Sequence, residues 1–375
     1  MGVGDAHNTD PPGRTTGRHG WSFSIGRVSG IDIRVHWSFF LLVGIFVMAG
    51  TAPGGLGITS SLVWLVVIFA CVLLHELAHC FVGRSRGAVV HEVELLPIGG
   101  VSKLEHLPEA PRDELAMAIA GPIASVAIGL GAAAIALLAR VPLLPFTLYG
   151  GPLLARTFWF NLVIAAFNLL PAFPLDGGRV FRALLERRRD LLGATRIAVR
   201  VGHAIAVTLV VAGLFFNLWL VIIGVFVYLG ASAEEAATIV HVRLRNQRVR
   251  DVMMLEPVVL PGDATLEELQ LALRRTAQRA FPVVADGRYI GMLDDTRIRH
   301  GAPGDTAAGL AVRDSLPIDS SDLVEDDLPS LVSSPARALA VAESSGAIVG
   351  MLRVEDVQHL VADESPPHDP PDAPR

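Results

Sequence analysis

Between Arg34 and Glu76 the chain carries no aspartate, glutamate, lysine or arginine. One membrane span takes roughly 20 apolar residues, so this run is too long for a single crossing. Thr51-Ala52-Pro53-Gly54-Gly55 interrupts it. The expectation is a first span near Trp37–Gly50 and a second near Leu62–Gly83. Three more uncharged runs follow, between Glu114 and Arg140, Arg156 and Asp176, and Arg200 and Glu234. Asn217 sits near the middle of the last run, which is either one strongly tilted span or a hairpin of two short spans. Composition agrees: 18% of the 375 residues are charged, against about 25% in soluble domains. The expected fold class is a polytopic α-helical membrane protein of about six spans.

Basic residues orient these spans. Arg14, Arg18, Arg27 and Arg34 precede the first; Arg84, Arg86, Lys103 and Arg112 follow the second. Arg179, Arg182 and Arg187-Arg188-Arg189 follow the fourth; Arg243, Arg245, Arg248 and Arg250 follow the last run. Loops rich in Lys and Arg stay cytoplasmic. Both flanks of the last run are then cytoplasmic, which requires an even number of crossings there. Both termini are expected in the cytoplasm, with residues 1–24 and 363–375 as disordered tails. Many arginines against few lysines, with no organelle-type presequence, point to a bacterial plasma membrane. After about Gln247 strand-type and helix-type segments alternate. Val249-Arg250-Asp251-Val252 recurs as Val312-Arg313-Asp314-Ser315, and Gly291-Met292-Leu293 as Gly350-Met351-Leu352. This is an internal duplication of about 60 residues.

His75-Glu76-Leu77-Ala78-His79 fits H-E-x-x-H. On a helix the two histidines share a face and can reach one metal, with the glutamate beside them. A third protein ligand would leave zinc a fourth position for water, whose proton a carboxylate can take. Ionisable groups inside an apolar span are costly and mark function. The second and fourth spans run in the same direction, and Asp176 lies near the same cytoplasmic end as the histidines. Charge and depth therefore bring Asp176 to the metal; the competing reading is a turn or helix-cap aspartate before Gly177-Gly178.

H-E-x-x-H in one span with Asn168-Leu169-Leu170-Pro171-Ala172-Phe173-Pro174-Leu175-Asp176-Gly177 in a later one resembles the site-2 protease family of intramembrane zinc metalloproteases. The resemblance covers about residues 25–240. It implies one zinc held by His75, His79 and Asp176, with Glu76 as general base. It implies substrate contact at Asn168 and at a re-entrant β element around Gly99-Gly100. The implied substrate is a single-span membrane protein, in bacteria often an anti-sigma factor, cut within the lipid bilayer. The duplicated part, about 248–362, resembles a cytosolic α/β cystathionine-β-synthase (CBS) domain pair. Such pairs dimerise or bind adenine nucleotides. Here Asp294 and Arg297 stand where the nucleotide-binding pattern has Thr/Ser and Asp, and Arg353 stands at the Thr/Ser position of the second copy. A regulatory or dimerising module is the favoured expectation, with nucleotide binding and a homodimer through the pair both open.

Other classes remain to be separated. A zinc protease with a downstream glutamate ligand would do quality control, and a non-enzymatic CBS-regulated sensor would tolerate Glu76→Gln. Nucleic acid is not an expected partner, since 31 Lys+Arg face 37 Asp+Glu. Cys71 and Cys80 are too few for a disulfide framework and are read as packing. His36 is read as an interfacial anchor, and His203, at a span end, as a snorkelling residue. His91 and His106 are expected to be solvated or in the β element on the cytoplasmic side, and the Asp319–Asp327 acids in a solvated loop.

Overall fold

The computed structural model of the protein describes residues 22–52, 55–96, 99–105, 110–313, 316–343 and 345–362, with backbone alone at 91 and 99–105. These fall into two compact units that divide between Glu234 and Glu235.

The first unit opens with a hairpin absent from the sequence reading. β1 (Ser22–Val28) and β2 (Ile31–His36) are joined by Ser29-Gly30, both at positive φ, as a tight hairpin turn requires. Ser22–Ser24, assigned above to the disordered tail, belong to β1. Helix α1 (Phe39–Thr51) and the 28-residue α2 (Ile58–Ser85) follow. Arg84 in the last turn of α2 complements the helix dipole, and Gly87 at φ +92° turns the chain away. β3 (Val89–Leu96) and β4 (Gly99–Glu105) form the expected β element. It joins the first hairpin in one sheet, ordered β1-β2-β3-β4, with β2 and β3 parallel and the other pairs antiparallel.

Then come α3 (Pro111–Leu138), α4 (Leu153–Asn168), α5 (Asp176–Leu185), α6 (Leu191–Phe216) and α7 (Leu218–Leu244). Pro111 with Asp113 and Glu114 starts α3, and the Asp190 side chain accepts from Gly193 N to cap α6. Helices α2, α3, α6 and α7 are long and apolar enough to cross a membrane, while α1 and α4 are shorter apolar helices. Met48, Leu138, Phe215 and Phe216 are largely exposed, as suits surfaces that meet lipid tails. The hairpin breaks at Asn217, but its helices are not short. They have 26 and 27 residues because each continues into its charged flank.

In the second unit α8 (Val249–Val252) and β5 (Met254–Leu255) lead into the first copy of the duplication. That copy is β6 (Leu260–Pro261), α9 (Leu266–Arg275), β7 (Ala280–Ala285), β8 (Arg288–Asp294) and α10 (Asp295–His300). Helix α11 (Ala307–Leu310) links it to the second copy: β9 (Ile318–Asp319), α12 (Val324–Ser333), β10 (Ala338–Ala342), β11 (Ile348–Arg353) and α13 (Val354–Ala362). Both copies pair their first two strands in parallel and the next two antiparallel. Leu269, Phe281, Leu293 and Ile298 fill one core; Leu244, Leu331, Leu339 and Leu352 fill the other. The acidic run read as a loop is half helical. Glu325, Asp326 and Asp327 occupy the first turn of α12, where the helix dipole favours them.

Candidate metal centre

Two turns of α2 and the first residue of α5 build the centre. His75 Nε2 and His79 Nε2 lie 3.2 Å apart. Asp176 Oδ2 lies 3.2 Å from the first and 3.3 Å from the second. His75 is 5% exposed. Each imidazole is held from behind by α3. His79 Nδ1 donates to the Met117 carbonyl oxygen at 2.7 Å, and His75 Nδ1 pairs with Ser125 Oγ at 2.9 Å. With Nδ1 carrying the hydrogen, a neutral His79 turns its Nε2 lone pair toward Asp176. Imidazoles that bind metal are oriented in this way by a partner at the other nitrogen.

The backbone of α3 makes room for that convergence at Gly121. A Cβ there would lie 2.2 Å from His79 Nε2 and 2.6 Å from His75 Nε2. The opposite face of α2 rests on the sheet. Leu77 and Cys80 pack with Ile31, Ile33, Val35, Val93 and Leu95, so the motif helix is wedged between α3 and β2–β3. Cys80 is therefore core, as read. Cys71 accepts from Asn161 Nδ2 at 3.2 Å, one turn before His75.

Asp176 is aimed by the turn that precedes it. Pro171 and Pro174 lack the donors a helix needs, so α4 stops and the chain folds back on α5. A Cβ on Gly177 would lie 2.2 Å from Leu170 O, and one on Gly178 2.6 Å from Phe173 N. The two glycines thus let α5 start against the turn itself. Leu175 occupies the cap position, and the Asp176 carboxylate faces the histidines instead.

Glu76 is half-buried on α2 and lies within electrostatic range of His79. Asn168 is the last residue of α4, half-buried, with no side-chain hydrogen bond among the described residues. Gly100 and Gly99 open β4 opposite Leu95 and Leu96, and β4 is an edge of the sheet. His36 pairs with Ser38 Oγ at 2.6 Å, and His203 stacks on Tyr228 at 4.1 Å between α6 and α7. His203 is thus a packed residue and does not snorkel. The His91 side chain and all of His106 lie outside the described residues. Ser125, the Met117 carbonyl and the α3 face that carries them escaped the sequence reading.

Two imidazole nitrogens and a carboxylate oxygen pressed together in an apolar helix bundle form a donor set suited to zinc. The comparisons agree with that chemistry. The model of peptidase family M50 matches residues 63–145 and 151–209. A zinc metalloprotease of Methanocaldococcus jannaschii is 33% identical over 278 residues, 73% of this chain and 78% of its own length. This chain belongs to peptidase family M50, the site-2 proteases. The protease is also 31% identical over 369 residues to Rip3 of Mycobacterium tuberculosis, covering 90% of this chain and 92% of the relative. The solved site-2 protease of M. jannaschii is 32% identical and covers 57% of the protease and 95% of its own chain, with a TM-score of 0.45. The CBS domain model matches residues 249–303, which is the first copy. In the second copy, Arg353 Nε donates to Asp356 Oδ2 at 2.9 Å.

Proposed function

We propose that this protein is a zinc-dependent intramembrane endopeptidase that cuts a transmembrane segment of a single-span membrane protein. The observation that carries the reading is the meeting of His75 Nε2, His79 Nε2 and Asp176 Oδ2 within 3.3 Å in an apolar bundle. His75, His79 and Asp176 are the ligands. Bound zinc supplies a Lewis acid that polarises the scissile carbonyl and lowers the pKa of water. Glu76 is the general base: its carboxylate takes the proton of the attacking water and passes it to the departing amide nitrogen. One peptide bond breaks, and the water is divided between the new carboxylate and the new amine.

A substrate helix hides its peptide bonds in internal hydrogen bonds, so it must unwind before it is cut. The open edge of β4, starting at Gly99-Gly100, offers backbone groups to an extended segment. Asn168, at the end of α4 with its amide uncommitted, supplies a donor and an acceptor to the same segment. The membrane is the bacterial plasma membrane with both termini cytoplasmic, and an anti-sigma factor trimmed outside by another protease is the substrate class. The CBS pair regulates from the cytoplasm, by dimerisation more than by adenine nucleotide. In its second copy the Asp356 carboxylate that would face a ribose is already engaged by Arg353.

The deciding experiment compares wild type with Glu76→Gln in proteoliposomes that carry a single-span substrate. Glu76→Gln should retain about one zinc and lose at least about a hundred-fold in cleavage, the usual worth of a general base. Full cleavage by Glu76→Gln, or wild type with no zinc, overturns the reading.

A further inference from the structure

We infer that Arg182 is a positioning residue for the third zinc ligand, setting the register of α5 so that Asp176 meets the histidines. The inference rests on the zinc-protease reading above. Arg182 is 7% exposed and lies on the same helix that Asp176 begins. Its guanidinium Nε donates to Glu114 Oε1 at 3.1 Å, and Nη2 donates to the same oxygen. Nη1 donates to Glu234 Oε1 at 2.9 Å. The guanidinium carbon stands 5.1 Å from the centre of the Phe173 ring, in the turn that delivers Asp176. One side chain therefore ties α5 to α3, to α7 and to its own leading turn.

The spacing makes this a register device. Glu114, Met117, Gly121 and Ser125 are all buried on one face of α3, at the i, i+3, i+7 and i+11 positions that share a helix face. Met117, Gly121 and Ser125 hold and admit the two imidazoles. From Glu114 to Gly121 the rise along α3 is about 10 Å, and from Asp176 to Arg182 along α5 it is about 9 Å. The two helices run antiparallel and touch at two matched points: Arg182 on Glu114 at one end, and Asp176 beside the Gly121 cradle at the other. A slip of α5 by one residue would move Asp176 by about 1.5 Å and rotate it by about 100°, which breaks a three-ligand site. Helix α7 adds a third point. A Cβ on Gly230 would lie 2.5 Å from Pro174 Cδ, and Glu234 follows one turn later on the same face. A lysine could not replace the planar fork that serves Glu114 and Glu234 at once, with Glu186 Oε1 3.8 Å from its Nε.

The test uses full-length detergent-purified protein and zinc itself as probe, by competition with a chromophoric chelator. Cobalt substitution reads the geometry of the site, and the melting midpoint of the metal-free protein reads the fold. Arg182→Gln leaves Glu114 buried without its partner, so Glu114→Gln/Arg182→Gln is measured beside it, with Glu234→Gln as the mildest variant. The double variant should melt like wild type when metal-free. It should lose about ten- to a hundred-fold in zinc affinity, the usual effect of a lost supporting residue, and change its cobalt spectrum. Arg182→Lys should recover part of the loss, and Glu234→Gln should fall between the double variant and wild type. Unchanged zinc affinity and cobalt spectrum in the double variant and in Glu234→Gln, with wild type binding zinc, overturn this inference alone. A melting loss in the metal-free double variant that accounts for the whole affinity change also overturns it. No zinc on wild type removes it together with the protease reading.

Discussion

Gly121 stands so close to His79 that an added methyl carbon would lie 2.2 Å from Nε2. Helix α3 thus closes on the imidazoles at a residue with no side chain. Gly121→Ala should abolish stoichiometric zinc binding while Gly131→Ala, with nothing within 4 Å of its added Cβ, should leave it intact. Metal analysis of the two purified variants checks this, and equal zinc content in both would refute it.

The Ser125 hydroxyl orients His75 through Nδ1 at 2.9 Å. Ser125→Ala should weaken zinc binding by about ten-fold, the lower end of what outer partners contribute. Cleavage at saturating zinc should fall less than in Glu76→Gln. A chelator titration separates the two, and an unchanged zinc affinity would show that Ser125 only fills space.

Asp327, half-buried in the first turn of α12, has its pKa pushed up to about 6 by burial and by the nearby Asp322 and Asp326 carboxylates. The folded carboxyl holds its proton at a pH where the unfolded one, near 3.9, has lost it. Between about pH 4 and 6 the folded state therefore binds more protons, and stability of the second unit falls as pH rises through that window. Asp327→Asn should remove the dependence and stabilise the unit at pH 7.5 by about 1 kcal/mol, discounted for partial exposure. Thermal melts of the full chain between about pH 4 and 8 measure it. A parallel pH profile in the variant would rule Asp327 out.

In the second CBS copy Arg353 occupies Asp356 through its Nε at 2.9 Å. AMP titrated calorimetrically into the wild type should give no saturable heat. Arg353→Thr, which frees the carboxylate, should create or strengthen binding. Tight AMP binding by the wild type would reverse the expectation and make the pair a nucleotide sensor.

Much of the protease was legible in the chain because its strongest signals are local. Uncharged runs mark apolar helices, four-residue spacing puts His75 and His79 on one face, and Pro171 and Pro174 end a helix wherever they stand. The hairpin at Asn217 and the duplicated strand order of the second unit could be read for the same reason. Ile31, Ile33 and Val35 alternate with Asp32 and Arg34, a period-two signal for β2 that the neighbouring apolar run masked. The acidic stretch was misread because Glu325, Asp326 and Asp327 suit either a solvated loop or a helix start, and local charge does not separate the two.

What the sequence by itself determined is which residues can bind a metal and which segments can enter a membrane, since both depend on residue type and short spacing. Tertiary structure decided between the two readings of Asp176 that charge and depth leave: its carboxylate faces the histidines, and Leu175 takes the cap position. It also decided that Ser125 and Met117 hold the rings from behind, and that Arg182 joins Glu114 to Glu234. Those relationships link helices across 38 to 101 residues of chain, and their register is set by close packing at Gly121, Gly177, Gly178 and Gly230. Packing of that kind depends on shape across elements, which no periodicity along one element encodes.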